Sequence, residues 1–98
     1  MTSKIISEKL KNENVRLWWV YIVECVDNTY YTGITPDINK RIEKHNSGVG
    51  AKYTKFRKPV KLLYYEKHEN RSQATKKEIQ IKKLTHNQKK ELINNFFP

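Results

Sequence analysis

From Trp18 to Val26 the chain is dense in β-branched and aromatic residues, Asp27, Asn28 and Thr29 then supply turn chemistry, and a second β-rich run follows from Tyr30 to Thr35. This pattern predicts a β-hairpin. Thr35, Pro36 and Asp37 read as a helix start, with a capping hydroxyl, a proline at the first helical position and an acid in the first turn. The helix is expected to run to about Asn46 and to end at Ser47-Gly48-Val49-Gly50, before a basic loop that contains Tyr53 and Phe56. Pro59 opens a third strand, Val60 to about Lys67. Asn70 with Gln73 begins a helix to about Leu84, and Thr85 with Gln88 begins a last one. The order β-β-α-β-α-α predicts a small α+β domain over 17–95, preceded by a polar, sparsely apolar arm over 1–16.

Composition narrows the function. A chain of 98 residues has room for one modest core. Its formal charge of +10 points to a polyanionic partner, nucleic acid or an acidic membrane surface. The longest apolar run, Leu17 to Val23, is seven residues, whereas a membrane span needs about 20. The amino terminus lacks the apolar stretch of a secretory signal, so a cytoplasmic location is expected. Single Cys25 and three scattered histidines offer no zinc-site spacing.

Several residues resist a purely structural reading. A stripe through Ala74, Ile81 and Leu84 carries Glu78 in its middle, a carboxylate where a hydrophobe belongs. Either Glu78 lies at the stripe's edge, paired with a lysine, or it is a metal-binding or acid/base group facing a cleft. Arg41 and His45 are four apart on the first helix and present a guanidinium and an imidazole together. Gly33 inside a strand marks a bulge or a close approach to the backbone. Tyr21 shares a strand face with Trp19, Val23 and Cys25, and Tyr31 with Gly33. The two faces coincide if the hairpin loop has an odd number of residues, as Asp27-Asn28-Thr29 would provide.

From Lys40 to Lys61 there are eight basic residues, Lys40, Arg41, Lys44, Lys52, Lys55, Arg57, Lys58 and Lys61, against the single acid Glu43. With Tyr53 and Phe56 interleaved, this composition suits a phosphate backbone and splayed bases. Gly48-Val49-Gly50-Ala51-Lys52 lacks the spacing and the Ser/Thr of a phosphate-binding loop, which excludes that type of nucleotide triphosphatase. His68 and His86 have no partner at metal-ligand spacing.

Trp19-Val20-Tyr21, Tyr31-Thr32-Gly33, Arg41, His45 and Glu78, together with RIEKHNSGVGAKY and RSQATKKE, resemble the GIY-YIG nuclease superfamily in order and spacing over about Leu17 to Ile93. The similarity is closest to its small stand-alone bacterial members and to the catalytic domain of the endonuclease that cuts branched DNA. The resemblance implies a three-stranded sheet flanked by helices, with Tyr21 and Tyr31 as the two motif tyrosines, Arg41 as the catalytic arginine, His45 as the following histidine and Glu78 as ligand of one Mg²⁺ or Mn²⁺. Gly33 is then structural at the site, and Lys40, Lys44, Lys52, Tyr53, Lys55, Arg57 and Lys58 are the expected nucleic-acid-binding residues.

Trp19 replaces the first glycine of the name motif. Family nucleases usually carry a separate targeting domain and this chain shows none, so a protein partner that supplies targeting is expected. The implied activity is metal-dependent hydrolysis of DNA, branched or damaged, as in DNA repair. The rival reading is a non-catalytic DNA- or RNA-binding module. A membrane-surface role is disfavoured, because the Lys-rich helices have only narrow apolar stripes.

Overall fold

The computed structural model describes residues 16–96. The arm expected over 1–16 lies outside the described residues except for Arg16. The elements are β1 (Trp18–Glu24), β2 (Tyr30–Thr35), α1 (Ile38–Ser47), β3 (Lys61–His68), α2 (Arg71–Lys82) and α3 (His86–Phe96). The α+β order is the expected one, and the three strands form an antiparallel sheet in the order β2-β1-β3.

The apolar run in β1 follows from its place in the middle of the sheet with helices on both faces, where both sides of a strand are buried. Val20, Tyr21, Ile22 and Val23 are all wholly buried. On one face Val20 and Ile22 join Tyr64, Ile81 and Ile93 beneath α2 and α3. On the other, Tyr21, Val23 and Cys25 join Val60, with Ile42 of α1 against them. β3 reaches both clusters through a bulge: Ile22 pairs with Tyr64 but Val23 with Leu62, so Leu63 is the extra residue.

The hairpin loop lies one residue earlier than expected. The ladder continues through Cys25 N–H to Thr29 O at 2.8 Å, and Asn28 N–H donates to Cys25 O at 2.9 Å. The loop is therefore Val26-Asp27-Asn28, with Asn28 at φ 67. Asn tolerates this left-handed conformation, and the Asp27 carboxylate accepts from the Thr29 N–H and O–H. The odd count remains: Tyr21 pairs with Gly33 and Val23 with Tyr31, so both tyrosines and Gly33 share a face.

The start of α1 also differs. Asp37, not Thr35, is the cap, and its carboxylate accepts from Lys40 N–H at 3.1 Å. Thr35 ends β2, where its hydroxyl accepts from Asp37 N–H and so shapes the turn. A carboxylate immediately before the helix takes the capping role from a hydroxyl two residues further away. At the other end Gly48 at φ 88 donates to His45 O and Val49 to Lys44 O, closing the helix. α2 stops at Lys82, two residues before the expected Leu84. Thr85 and Gln88 form the reciprocal capping box that begins α3.

Asn46, near the end of α1, fastens the basic loop at its return to the sheet. Its side-chain oxygen accepts from Val60 N–H at 2.6 Å and its amide donates to Val60 O at 3.4 Å. Asn46→Ala leaves both Val60 groups without these partners, and we expect a loss of about 1–3 kcal/mol in urea unfolding. An unchanged midpoint would contradict that assignment.

Candidate active site

The site is built around a gap at Gly33. Tyr21 on β1 lies over β2 at this position, and a Cβ on Gly33 would stand 2.6 Å from the Tyr21 Oη and 2.9 Å from its Cζ. The glycine gives the phenol room. One turn of α1 then delivers Arg41 and His45 to the same hydroxyl: His45 Nε2 lies 2.8 Å from Tyr21 Oη, and Arg41 Nε–H donates to it at 3.4 Å. The guanidinium also interacts with Tyr31. Tyr31, half-buried on β2, completes the aromatic cluster, its ring centroid 6.3 Å from Tyr21, 5.3 Å from His45 and 5.9 Å from Tyr53.

The hydrogen-bond inventory fixes the tautomer of His45. Thr54 Oγ1 lies 2.7 Å from His45 Nδ1 and donates its own proton to Ala51 O at 3.0 Å. With that proton committed, Thr54 accepts from Nδ1–H, so Nε2 is bare and accepts the Tyr21 O–H. The sequence reading missed Thr54, because a buried loop hydroxyl carries no periodic signal. It also assigned Gly50 only to helix termination. A Cβ on Gly50 would stand 2.6 Å from His45 Nδ1 and 2.7 Å from its Cα, so this glycine lets the loop cross α1 closely enough for Thr54 to reach the ring.

Burial, reinforced by the Arg41 charge, pushes the His45 pKa down to about 4, so the ring is neutral at pH 7. Burial likewise pushes Tyr21 up to about 12. Arg41 moves up, chiefly through its hydrogen bond to Tyr21, and stays charged.

Glu78 on α2 combines the two alternatives. It pairs with Lys82 at 3.2 Å, yet its side chain is only 18% exposed and its charge raises the proton affinity of Tyr21. Its side chain is thus turned from open solvent and lies near enough to Tyr21 to act on it through charge. Among the described residues no three His, Cys, Asp or Glu side chains gather to hold an ion. A single carboxylate still fits Mg²⁺, which keeps several waters and takes further oxygens from phosphate.

Of the expected binding residues, Lys40, Lys44, Lys52, Lys55 and Lys58 are exposed. Arg57 is also employed by the fold itself: it pairs with Asp27 at 3.1 Å, donates to Tyr53 O at 2.8 Å and lies 4.1 Å over the Tyr53 ring. Tyr53 is thus held between Arg57 and Tyr31, whereas Phe56 is 85% exposed. His86 stacks on Tyr30 and His68 faces Glu66, both away from this cluster.

Residues 17–91 match the GIY-YIG catalytic domain family. A UPF0213 protein from Clostridium perfringens is 53% identical over 77 residues, covering 79% of this chain and 83% of that protein. One from Staphylococcus aureus is 53% identical over 75 residues, 76% of this chain and 92% of its own length. The solution structure of a UPF0213 protein from Bacillus halodurans superposes with a TM-score of 0.55 at 38% identity, covering 84% of this chain and 88% of that one. A solution structure from E. faecalis gives 0.57 at 43% identity, covering 82% and 85%.

The buried imidazole makes stability depend on pH. Between the ordinary value of 6.5 and about 4, the unfolded chain binds a proton that the folded His45 does not. The contribution is therefore complete above pH 6.5 and lost as pH falls toward 4, by roughly 3 kcal/mol in total. Urea unfolding of the parent and of His45→Gln from pH 7.5 to 4 should give curves that converge as pH drops, with the carboxylate titrations cancelling in the difference. Parallel curves would contradict a neutral buried His45.

Proposed function

The chain belongs to the GIY-YIG family, and from that premise we propose that it is a Mg²⁺-dependent nuclease that hydrolyses phosphodiester bonds in DNA. The family carries a nuclease-like fold. The observation that supports activity in this chain is the convergence of one fixed guanidinium on two tyrosine side chains, with a partly buried carboxylate whose charge is felt at Tyr21.

The residues divide the work by exposure. Tyr21 and His45 are wholly buried, so they position rather than meet the water. Tyr21, held by His45 Nε2, fixes the guanidinium of Arg41, whose remaining donors grip a non-bridging phosphate oxygen. Tyr31 is half-buried and orients the attacking water. Negative charge that builds on the phosphate oxygens as the water attacks is met by Arg41. Glu78 would hold the metal, which when bound neutralises charge on the phosphate and assists the leaving oxygen. The exposed lysines of α1 and the following loop engage backbone rather than base edges, so selection falls to substrate shape, such as branched or damaged DNA.

Incubation with branched, single-stranded and duplex DNA, with Mg²⁺ or with chelator, tests the reading. Glu78→Ala should lower cleavage by orders of magnitude while affinity holds or rises slightly. Arg41→Ala should abolish cleavage with a modest loss of affinity. A parent protein with no divalent-dependent cleavage would instead be a basic binding module. Cleavage that survives both chelator and Glu78→Ala would remove the role given to Glu78.

Binding itself should be electrostatic. With about five phosphates contacted, the plot of log affinity against log salt should have a slope of roughly −4 to −5 on duplex DNA. A salt-independent affinity would refute a backbone-tracking surface.

A further inference from the structure

Beside the tyrosine cluster lies a concavity of about 450 Å³, between the start of β1, α1 and the first residue of α2. Arg16, Lys40, Arg41, Lys44 and Arg71 line it together with Trp18. We propose that it is a nucleotide subsite, which takes the phosphate next to the cleaved one and lays its base against Trp18.

Three observations carry this. First, five cations from three separate segments face one concave surface whose only acidic lining residue is Asp37, and that carboxylate already accepts from Lys40 N–H as the α1 cap. Among the described residues none of the five forms an ion pair. Like charges focused in a cleft repel one another and raise the local concentration of anions. Second, the lining is not only basic. The Arg71 guanidinium lies 5.3 Å over the Trp18 ring, and Ile34 and Pro36 add apolar surface, a combination suited to a base and a phosphate together rather than to a bare anion. Third, Arg41 lines this concavity and is also fixed by Tyr21, so a phosphate gripped by Arg41 sits at the mouth of the concavity.

Trp18 and Arg71 acquire a role here that the basic loop does not explain. The direction of the strand through the subsite rests on the nuclease reading, whereas capture of a phosphate and a base does not.

The test uses a single-stranded hexathymidylate and its abasic counterpart as probes, with the full chain in chelator and ¹H–¹⁵N NMR as readout. The hexamer should shift the Trp18 indole N–H and the amides of Lys40, Lys44 and Arg71. The abasic strand should leave the indole unmoved and bind more weakly. Arg71→Ala, an exposed position, and Trp18→Leu should each weaken hexamer binding by roughly fivefold or more.

Shifts confined to residues 52–58, or parent-like affinity in Arg71→Ala, would overturn the subsite whether or not the protein cleaves DNA. An equal indole shift with the abasic strand would overturn base stacking. Hexamer binding in the concavity by a protein that never cleaves with Mg²⁺ would sink the nuclease reading and leave the subsite standing.

Discussion

The hydrogen bond between the Tyr21 hydroxyl and His45 Nε2 joins the centre of the sheet to α1, and the arrangement around it depends on that contact. Both side chains are wholly buried, so each polar atom has to find a partner within the protein or cost the fold its desolvation energy. The partners form one directed chain: Arg41 donates to Tyr21, Tyr21 to His45, His45 to Thr54 and Thr54 to Ala51 O. Each hydroxyl accepts once and donates once. The two glycines are its steric conditions, since a methyl at position 33 would collide with the phenol and one at position 50 with the imidazole.

The two faces of the sheet divide stability from chemistry. Beneath α2 and α3 the cluster is mainly aliphatic, Val20, Ile22, Ile81 and Ile93 beside Tyr64, and burying such aliphatic side chains contributes about 1.5–3 kcal/mol each. The face beneath α1 puts a phenol, an imidazole and a threonine hydroxyl where further hydrophobes would pack. β1 serves both because successive side chains of a strand point to opposite faces, so Tyr21 and Ile22 belong to different layers. Glu78 comes from the other side: Ala74 and Ile81 anchor α2, and the carboxylate between them pairs with Lys82 and acts on Tyr21 through its charge.

Periodicity made much of this legible in the sequence. The strand alternation and loop parity put Tyr21, Tyr31 and Gly33 on one face, and helical spacing put Arg41 with His45 and Glu78 within its stripe. Local competition decided what pattern could not. Asp37 took the cap from Thr35 because a carboxylate stood closer to the first free N–H groups. Long-range pairing was silent in the same way. Nothing around Arg57 announces Asp27 as its partner, nothing around Thr54 announces His45, and Trp18 and Arg71 meet only after the sheet and α2 are assembled.

The electrostatics of the cluster follow from its burial. A neutral His45 beside a charged Arg41 is the arrangement that the interior favours, because a second cation would meet both desolvation and repulsion. Arg41 keeps its charge through the hydrogen bond to Tyr21, and Tyr21 keeps its proton because burial opposes the phenolate. From about pH 5 to pH 9 these three groups therefore present one fixed positive charge and no titration. A charge held in place before any ligand arrives needs little reorganisation when a phosphate approaches, and this is the condition under which a guanidinium stabilises an anion most strongly.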